Sequence, residues 1–318
     1  MREVVIEQVG SDEFQKALKG GLGTLHFTDT EVKPFDPLSQ LDRFEIEFPE
    51  QMKLFRLVGI HPTESTNPIN PYTKATSTEN FSNIGEHCIA VAHCASKIAA
   101  LLVQQGLITD EDARWITERA LVHDLNKPFE IMRRYAQKAG LAEDVYSVTA
   151  YEKLKPLLDE AGIAPELSEY LIKAGAETGH NSLKTFIVAG PDGYEGLVSG
   201  MVAEKIVHLA DDMTFTNNPK EGQRPITAFM TCWERMLASQ FIEKYPFLWN
   251  EGLVASDSGA ITGVRDLKQI PEGQKIIGNY AELQVRVANS IARELQLLVD
   301  PGSPEKPESF IRRVVNAD

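Results

Sequence analysis

The sequence is short of cysteine, of positive charge and of long apolar runs. Its three cysteines, Cys88, Cys94 and Cys232, form no CxxC pair and are too few for a disulfide framework. A small stapled secreted fold is therefore excluded, and a reducing cytoplasm is the expected location. Lys and Arg number 32 against 46 Asp and Glu, giving a net charge of −14 and a pI near 5.0. Nucleic-acid polymers and anionic membranes select basic surfaces, so neither is expected as a partner. A small phosphorylated substrate stays compatible, because a bound metal supplies positive charge that the overall count hides. No unbroken apolar run of about 18 residues occurs, so no membrane-spanning helix is expected. The opening MREVVIEQVGSDEF has no continuous apolar stretch of the kind a secretory signal carries. There is no internal repeat and no low-complexity tract.

What is present is ordinary globular material. Hydrophobic residues make up 42% and charged residues 25% of the 318 positions, which excludes a mostly disordered chain. That length predicts one large domain with extensions, or two domains. FEIEF at 44–48 alternates apolar and acidic residues and predicts a half-buried strand. HPTESTNPINPYTKATSTEN, 61–80, predicts a long irregular loop. From about 81 the text turns helical: Ile84, Cys88, Val91, Ala95, Ile98 and Leu102 form one stripe. Gly106 is placed to end that helix, and Thr109 with Asp112 to open the next as a capping box. Pro128 should stop the second helix. Further helices are predicted near 151–160, 165–178 and 196–214, with a turn at GPDGYEG, 190–196. Residues 226–245 read as helical, 251–275 as poorly patterned, and 282–299 as an amphipathic helix before a short final one.

The chemistry gathers on a few of these helices. ALVHDLNKP, 120–128, sets His123 beside Asp124 in the last turn of an apolar helix, an expensive placement unless both have partners. A divalent metal would be one, since imidazole with carboxylate suits Mn, Fe, Co, Ni or Zn and a helix C-terminus favours a cation. His87 lies on the apolar stripe of the preceding helix. Two sequential helices joined by a short loop pack antiparallel, so His87 and His123 can meet as a ligand pair. In KIVHLADDMT, 205–214, Asp211 and Asp212 end a third apolar helix, and helical projection does not choose between them. His180, in AETGHNS beyond a predicted helix, is a further ligand or a hydrogen-bond donor to substrate.

The ordered set His87, His123-Asp124 and Asp211 resembles the H…HD…D signature of the HD-domain metal-dependent phosphohydrolase superfamily. ALVHDLNKP is similar to that family's apolar-apolar-HD-x-x-K, and KIVHLADDM to its apolar helix ending in Ala-Asp. The resemblance covers about 81–215. It implies a helical bundle holding a divalent metal through His87, His123, Asp124 and Asp211, with Asp212 in reserve. No adjacent His-His pair follows His180, so one metal per chain is expected, and the cyclic-dinucleotide phosphodiesterase branch is not matched.

The expected architecture is thus mainly α: an HD-like helical core at 81–215, a mixed extension at 1–80 with a few short strands, and a helical extension at 216–318 packing on the core. The expected reaction is hydrolysis of a phosphate ester of a nucleotide or other small molecule by a metal-activated water. Asp124 would orient the water, while Lys127 and His180 would serve the phosphate or the leaving group. Glu86 and Glu177 are weaker acid–base candidates, Arg133 and Arg134 are further phosphate-binding candidates, and His208 could support the ligands. Two other readings use the same residues: a di-iron oxygenase of the same fold, and an inactive metal-binding regulatory module. A homodimer through 226–245 or 282–299 is a further possibility.

Overall fold

A computed structural model describes residues 33–64, 70–72, 81–140, 143, 149–163, 165, 182–217, 224–239 and 241–317. It is mainly helical with a few short strands. The chain forms two compact units. One, the helical unit, comprises 34–178 with 216–227; the other, the α+β unit, includes 179–215 with 228–318.

The helical unit begins with a two-residue strand β1 (Pro34–Phe35), then α1 (Leu41–Glu47) and α2 (Pro49–Val58). The strand expected at FEIEF is therefore a helix. Phe44 and Phe48 are buried while Ile46 is 81% exposed. A strand would put 44, 46 and 48 on one face; a helix puts 44 and 48 together and turns 46 away. α2 ends at Gly59 in the left-handed region, φ 76°.

α3 (Ser82–Gln104) and α4 (Asp110–Val122) form an antiparallel hairpin. Its sequence controls work as expected. Gly106, at φ 67°, turns the chain, and Thr109 and Asp112 complete both halves of a capping box. α3 is long and apolar enough by composition to cross a bilayer; here most of its residues are buried in the unit, from Ile84 to Leu102. Near its start, Gly85 lets the helix touch the backbone at Ile60, whose carbonyl oxygen would lie 1.9 Å from any Cβ. α4 ends at Val122, and His123 to Asn126 form a turn into α5 (Lys127–Lys138). Pro128 thus opens a helix rather than stopping one, since proline suits a first turn whose N–H groups lack helical acceptors. α6 (Ala150–Glu160) starts from a second capping box, Thr149 with Glu152. The helix expected at 165–178 lies almost wholly outside the described residues.

The α+β unit holds α7 (Leu183–Phe186) and a hairpin of β2 (Ile187–Gly190) and β3 (Gly193–Leu197), with the turn at Pro191-Asp192. The helix expected from 196 starts only at 202, as α8 (Val202–Met213). Strands β4 (Thr214–Thr216) and β5 (Thr227–Phe229) lie where the chain passes between units. Three short helices follow: α9 (Cys232–Ala238), α10 (Phe241–Lys244) and α11 (Phe247–Asn250). Next come β6 (Gly252–Ser256), β7 (Ile261–Val264) and β8 (Gln274–Asn279), an antiparallel sheet in the order β7-β6-β8. This sheet occupies the segment that reads as unpatterned. Among the described residues the strands thus lie mainly after residue 186, not near the N-terminus. α12 (Tyr280–Val299) and α13 (Pro307–Val315) close the unit. Asn279 caps α12 by accepting the Glu282 N–H at 2.8 Å.

Candidate metal centre

The α3–α4 hairpin puts the start of one helix beside the end of the other. His87, in the second turn of α3, and His123, just past α4, therefore meet, with ring centroids 5.3 Å apart. Asp124 follows directly. One ligand atom from each of His87, His123 and Asp124 lies within 4.8 Å of the other two. The three residues form a group that can hold a metal ion.

Hydrogen bonds prepare these donors. His123 is fully buried, and its Nδ1 lies 2.7 Å from the carbonyl oxygen of Ala120. A carbonyl only accepts, so Nδ1 carries the hydrogen and the Nε2 lone pair is left to coordinate. His87 Nδ1 lies 3.3 Å from Thr216 Oγ1, which itself lies 3.2 Å from Thr227 Oγ1. A hydroxyl can accept from Nδ1, the tautomer in which Nε2 of His87 carries the lone pair. Lys127 Nζ donates to Asp124 Oδ2 at 2.7 Å, one turn along the chain. That ion pair fixes the carboxylate. Sequence spacing signals the Lys127 pair, but nothing in it signals Thr216, which is remote in the chain from His87.

A second group, Glu45, His61 and Glu64, passes the same distance test and fails on chemistry. His61 Nδ1 accepts the Glu64 N–H at 3.3 Å, so Nε2 carries the hydrogen and donates to Glu45 Oε1 at 2.8 Å. No nitrogen lone pair is left for an ion. Arg56 bonds both carboxylates, reaching Glu64 at 2.8 Å. Burial works to raise the pKa of Glu45, but hydrogen bonds from His61 and Arg56 outweigh it and hold the group below its ordinary value. This is an ion-pair node whose cation is already a guanidinium.

Glu86, next to His87, is buried and lies 3.6 Å from Arg224 Nη2. Burial raises its pKa while Arg224 works against the rise. His93 packs its ring against Phe35 at 4.7 Å and belongs to the core. Burial pushes the thiols of Cys94 and Cys232 far up, which disqualifies both as nucleophiles at neutral pH.

Asp211 and Asp212 belong to the α+β unit, in the last turn of α8. The structure separates their roles there. Asp212 is fully buried; Gln284 Nε2 donates to its Oδ1 at 2.6 Å, and His208 Nε2 lies 3.3 Å from its Oδ2. Burial raises the pKa of Asp212 against the pull of His208 and Arg235. Asp211 pairs with Arg235 at 3.4 Å. His208 therefore supports Asp212 and stacks on Phe186, ring centroids 4.8 Å apart. His180 and Glu177 lie outside the described residues.

Comparison of the chain with protein-family models, with curated proteins and with solved structures finds no match in any of the three.

Proposed function

We propose that the chain is a metal-dependent phosphohydrolase of the HD-domain type, acting on a phosphate ester of a nucleotide or other small molecule. One observation carries the reading: two histidines and an aspartate converge, and the buried histidine is held in the tautomer that coordinates. His87, His123 and Asp124 would hold one divalent transition ion; Asp211, in the other unit, is a ligand that the sequence resemblance alone implies. The chemistry such an ion would supply there is a lowered pKa for a bound water and polarisation of a phosphoryl oxygen.

The chain's own groups have separate tasks in this reading. The Ala120 carbonyl keeps the His123 ring from rotating. Lys127 is a positioning residue that holds the Asp124 carboxylate in place through its 2.7 Å bond to Oδ2. Its side chain is 45% exposed, so the ammonium stays accessible to a phosphate oxygen and can offset charge that develops there.

The test is metal content by mass spectrometry on protein purified without chelator, beside a His123→Ala, Asp124→Ala double variant. The expected result is about one transition metal per chain, absent from the variant, with turnover against a phosphate-ester panel. Two irons per chain would replace this reading with a di-iron oxygenase. A metal-loaded protein inert to the whole panel would indicate a regulatory module. No metal after reconstitution with Mn, Fe, Co, Ni or Zn would remove the reading altogether.

A further inference from the structure

One chain segment, 216–227, belongs to the helical unit and engages two consecutive residues of α3. Arg224 Nη2 lies 3.6 Å from the buried Glu86 and 3.0 Å from Asp36. Thr216 Oγ1 lies 3.3 Å from His87 Nδ1 and 3.2 Å from Thr227 Oγ1. Thr216 ends β4 and Thr227 begins β5. Just beyond them the Asn217 N–H donates to the Ile226 carbonyl at 3.1 Å, and the Ile226 N–H donates to Asn217 Oδ1 at 2.6 Å. These bonds tie the two strand ends together and hold the hydroxyls at a fixed spacing. Thr227 is buried, which shields that end of the row from water.

Each hydroxyl has one hydrogen to donate, so the row His87–Thr216–Thr227 has two polarities. Running outward, His87 Nδ1–H donates to Thr216 and the Thr216 hydroxyl donates to Thr227; Nε2 then carries the lone pair. Running inward, Thr227 donates to Thr216 and Thr216 donates to Nδ1; Nε2 then carries the hydrogen and does not coordinate. Turning one hydroxyl turns the other, so the polarity belongs to the row as a whole. We propose that the row runs outward, and that Thr216 and Thr227 are positioning residues that set the tautomer of His87 in which Nε2 can bind a metal ion. Thr227 acts through Thr216: it accepts the Thr216 hydrogen, which would otherwise turn to Nδ1. At His123 the Ala120 carbonyl fixes the same tautomer, so both imidazoles of the cluster would present Nε2. That the row serves a metal ligand rests on the phosphohydrolase reading; the tautomer itself does not.

Heteronuclear NMR of the imidazole nitrogens reads the tautomer in the metal-free full chain, at about pH 8.5, where an ordinary histidine is neutral. A His87→Gln variant assigns the signal. Hydrogen on Nδ1 is expected in the wild type. Thr216→Val and Thr227→Val should each move it toward Nε2, and Thr216→Ser, which keeps a hydroxyl, should restore the wild-type signal. Affinity for Zn should fall about tenfold in Thr216→Val, less in Thr227→Val, and recover in Thr216→Ser. If Thr216→Val does not fold, Thr227→Val decides alone. Hydrogen on Nε2 in the wild type, or the same tautomer in the wild type and the valine variants, would overturn the proposal. A wild type with hydrogen on Nδ1 that responds to these variants yet binds no ion would uphold the row and remove the phosphohydrolase reading.

Discussion

Adding one methyl group at Gly85 should disable the proposed metal centre without touching a candidate ligand. A Cβ there would lie 1.9 Å from the carbonyl oxygen of Ile60, 3.0 Å from its carbon and 3.4 Å from Cδ of Pro62. Cβ–oxygen contacts below 3.0 Å essentially do not occur, so α3 must retreat by about 1 Å at its first turns. The obstacle is main chain, fixed by the left-handed Gly59 and by the Ile60 N–H bond to Phe55 at 2.9 Å. It cannot swing aside as a side chain would. Overpacking a core costs about 1–3 kcal/mol, and the better helix propensity of alanine returns about 1 kcal/mol. With backbone as the obstacle, the upper half of that range applies, so Gly85→Ala should lose about 1–2 kcal/mol net. His87 lies two residues further on, so the same shift misplaces a ligand, and metal affinity should fall by about tenfold or more. The assay is paired: denaturant unfolding of the metal-free protein, and metal content after dialysis against a buffered ion. Gly106→Ala is the control. It strains a φ of 67° with nothing within 4 Å of the new Cβ, so it should cost about 1 kcal/mol and leave metal content unchanged. A Gly85→Ala protein with wild-type stability and full metal, or equal metal loss in both variants, would refute the packing argument.

Lys127→Met should lower metal affinity about tenfold, because Asp124 loses the bond that fixes its rotamer, while Lys127→Arg should retain most of it. Equal affinity in all three proteins would reduce the pair to an ordinary helix-end contact. Glu308, buried in α13, has its pKa raised to about 7, chiefly by burial, with Asp212 and Glu234 adding and the Cys232 N–H and Arg312 opposing. The folded state therefore binds the extra proton between about pH 4.5 and 7, so the stability this group contributes is present at low pH and is lost as pH rises through 7. Unfolding free energies at pH 5 and pH 8 should show the wild type losing most of about 3 kcal/mol that Glu308→Gln keeps; parallel profiles for the two proteins would contradict it.

The helical hairpin was legible because local chemistry alone specifies it. The stripe from Ile84 to Leu102, the turn at Gly106 and the Thr109–Asp112 box each act within a few residues, and no distant contact is needed to read them. The two features misread both depend on what lies elsewhere. Period-two alternation at FEIEF fits a strand, yet Phe44 and Phe48 are also one helical turn apart, and burial of that pair with exposure of Ile46 decides the matter. The sheet at 252–279 has weak alternation because its strands carry glycine for backbone reasons. Gly252 allows the close approach to Gly278, whose carbonyl oxygen would lie 2.2 Å from a Cβ. Glycine there removes the very side chain on which a periodicity argument depends.

The candidate site shows the same division more sharply. Residue types and order point to His87, His123 and Asp124, and the fold brings together a second group, Glu45, His61 and Glu64, of the same residue types. Both sets contain histidine and carboxylate, and both pass a test of distance. The distinction lies in which imidazole nitrogen holds the hydrogen, and the backbone sets that. At His123 the partner is a carbonyl, an obligate acceptor, so a lone pair is left over. At His61 the partner is an N–H, an obligate donor, so the lone pair is consumed and the remaining nitrogen donates to Glu45. Reversing the polarity of one backbone contact turns a histidine that can coordinate into one that only donates a hydrogen bond to a carboxylate. The carbonyl at His123 is the one three residues back, at Ala120, within reach only because His123 stands where α4 ends. The position of a helix terminus therefore determines whether this histidine can coordinate, and composition alone does not record that position.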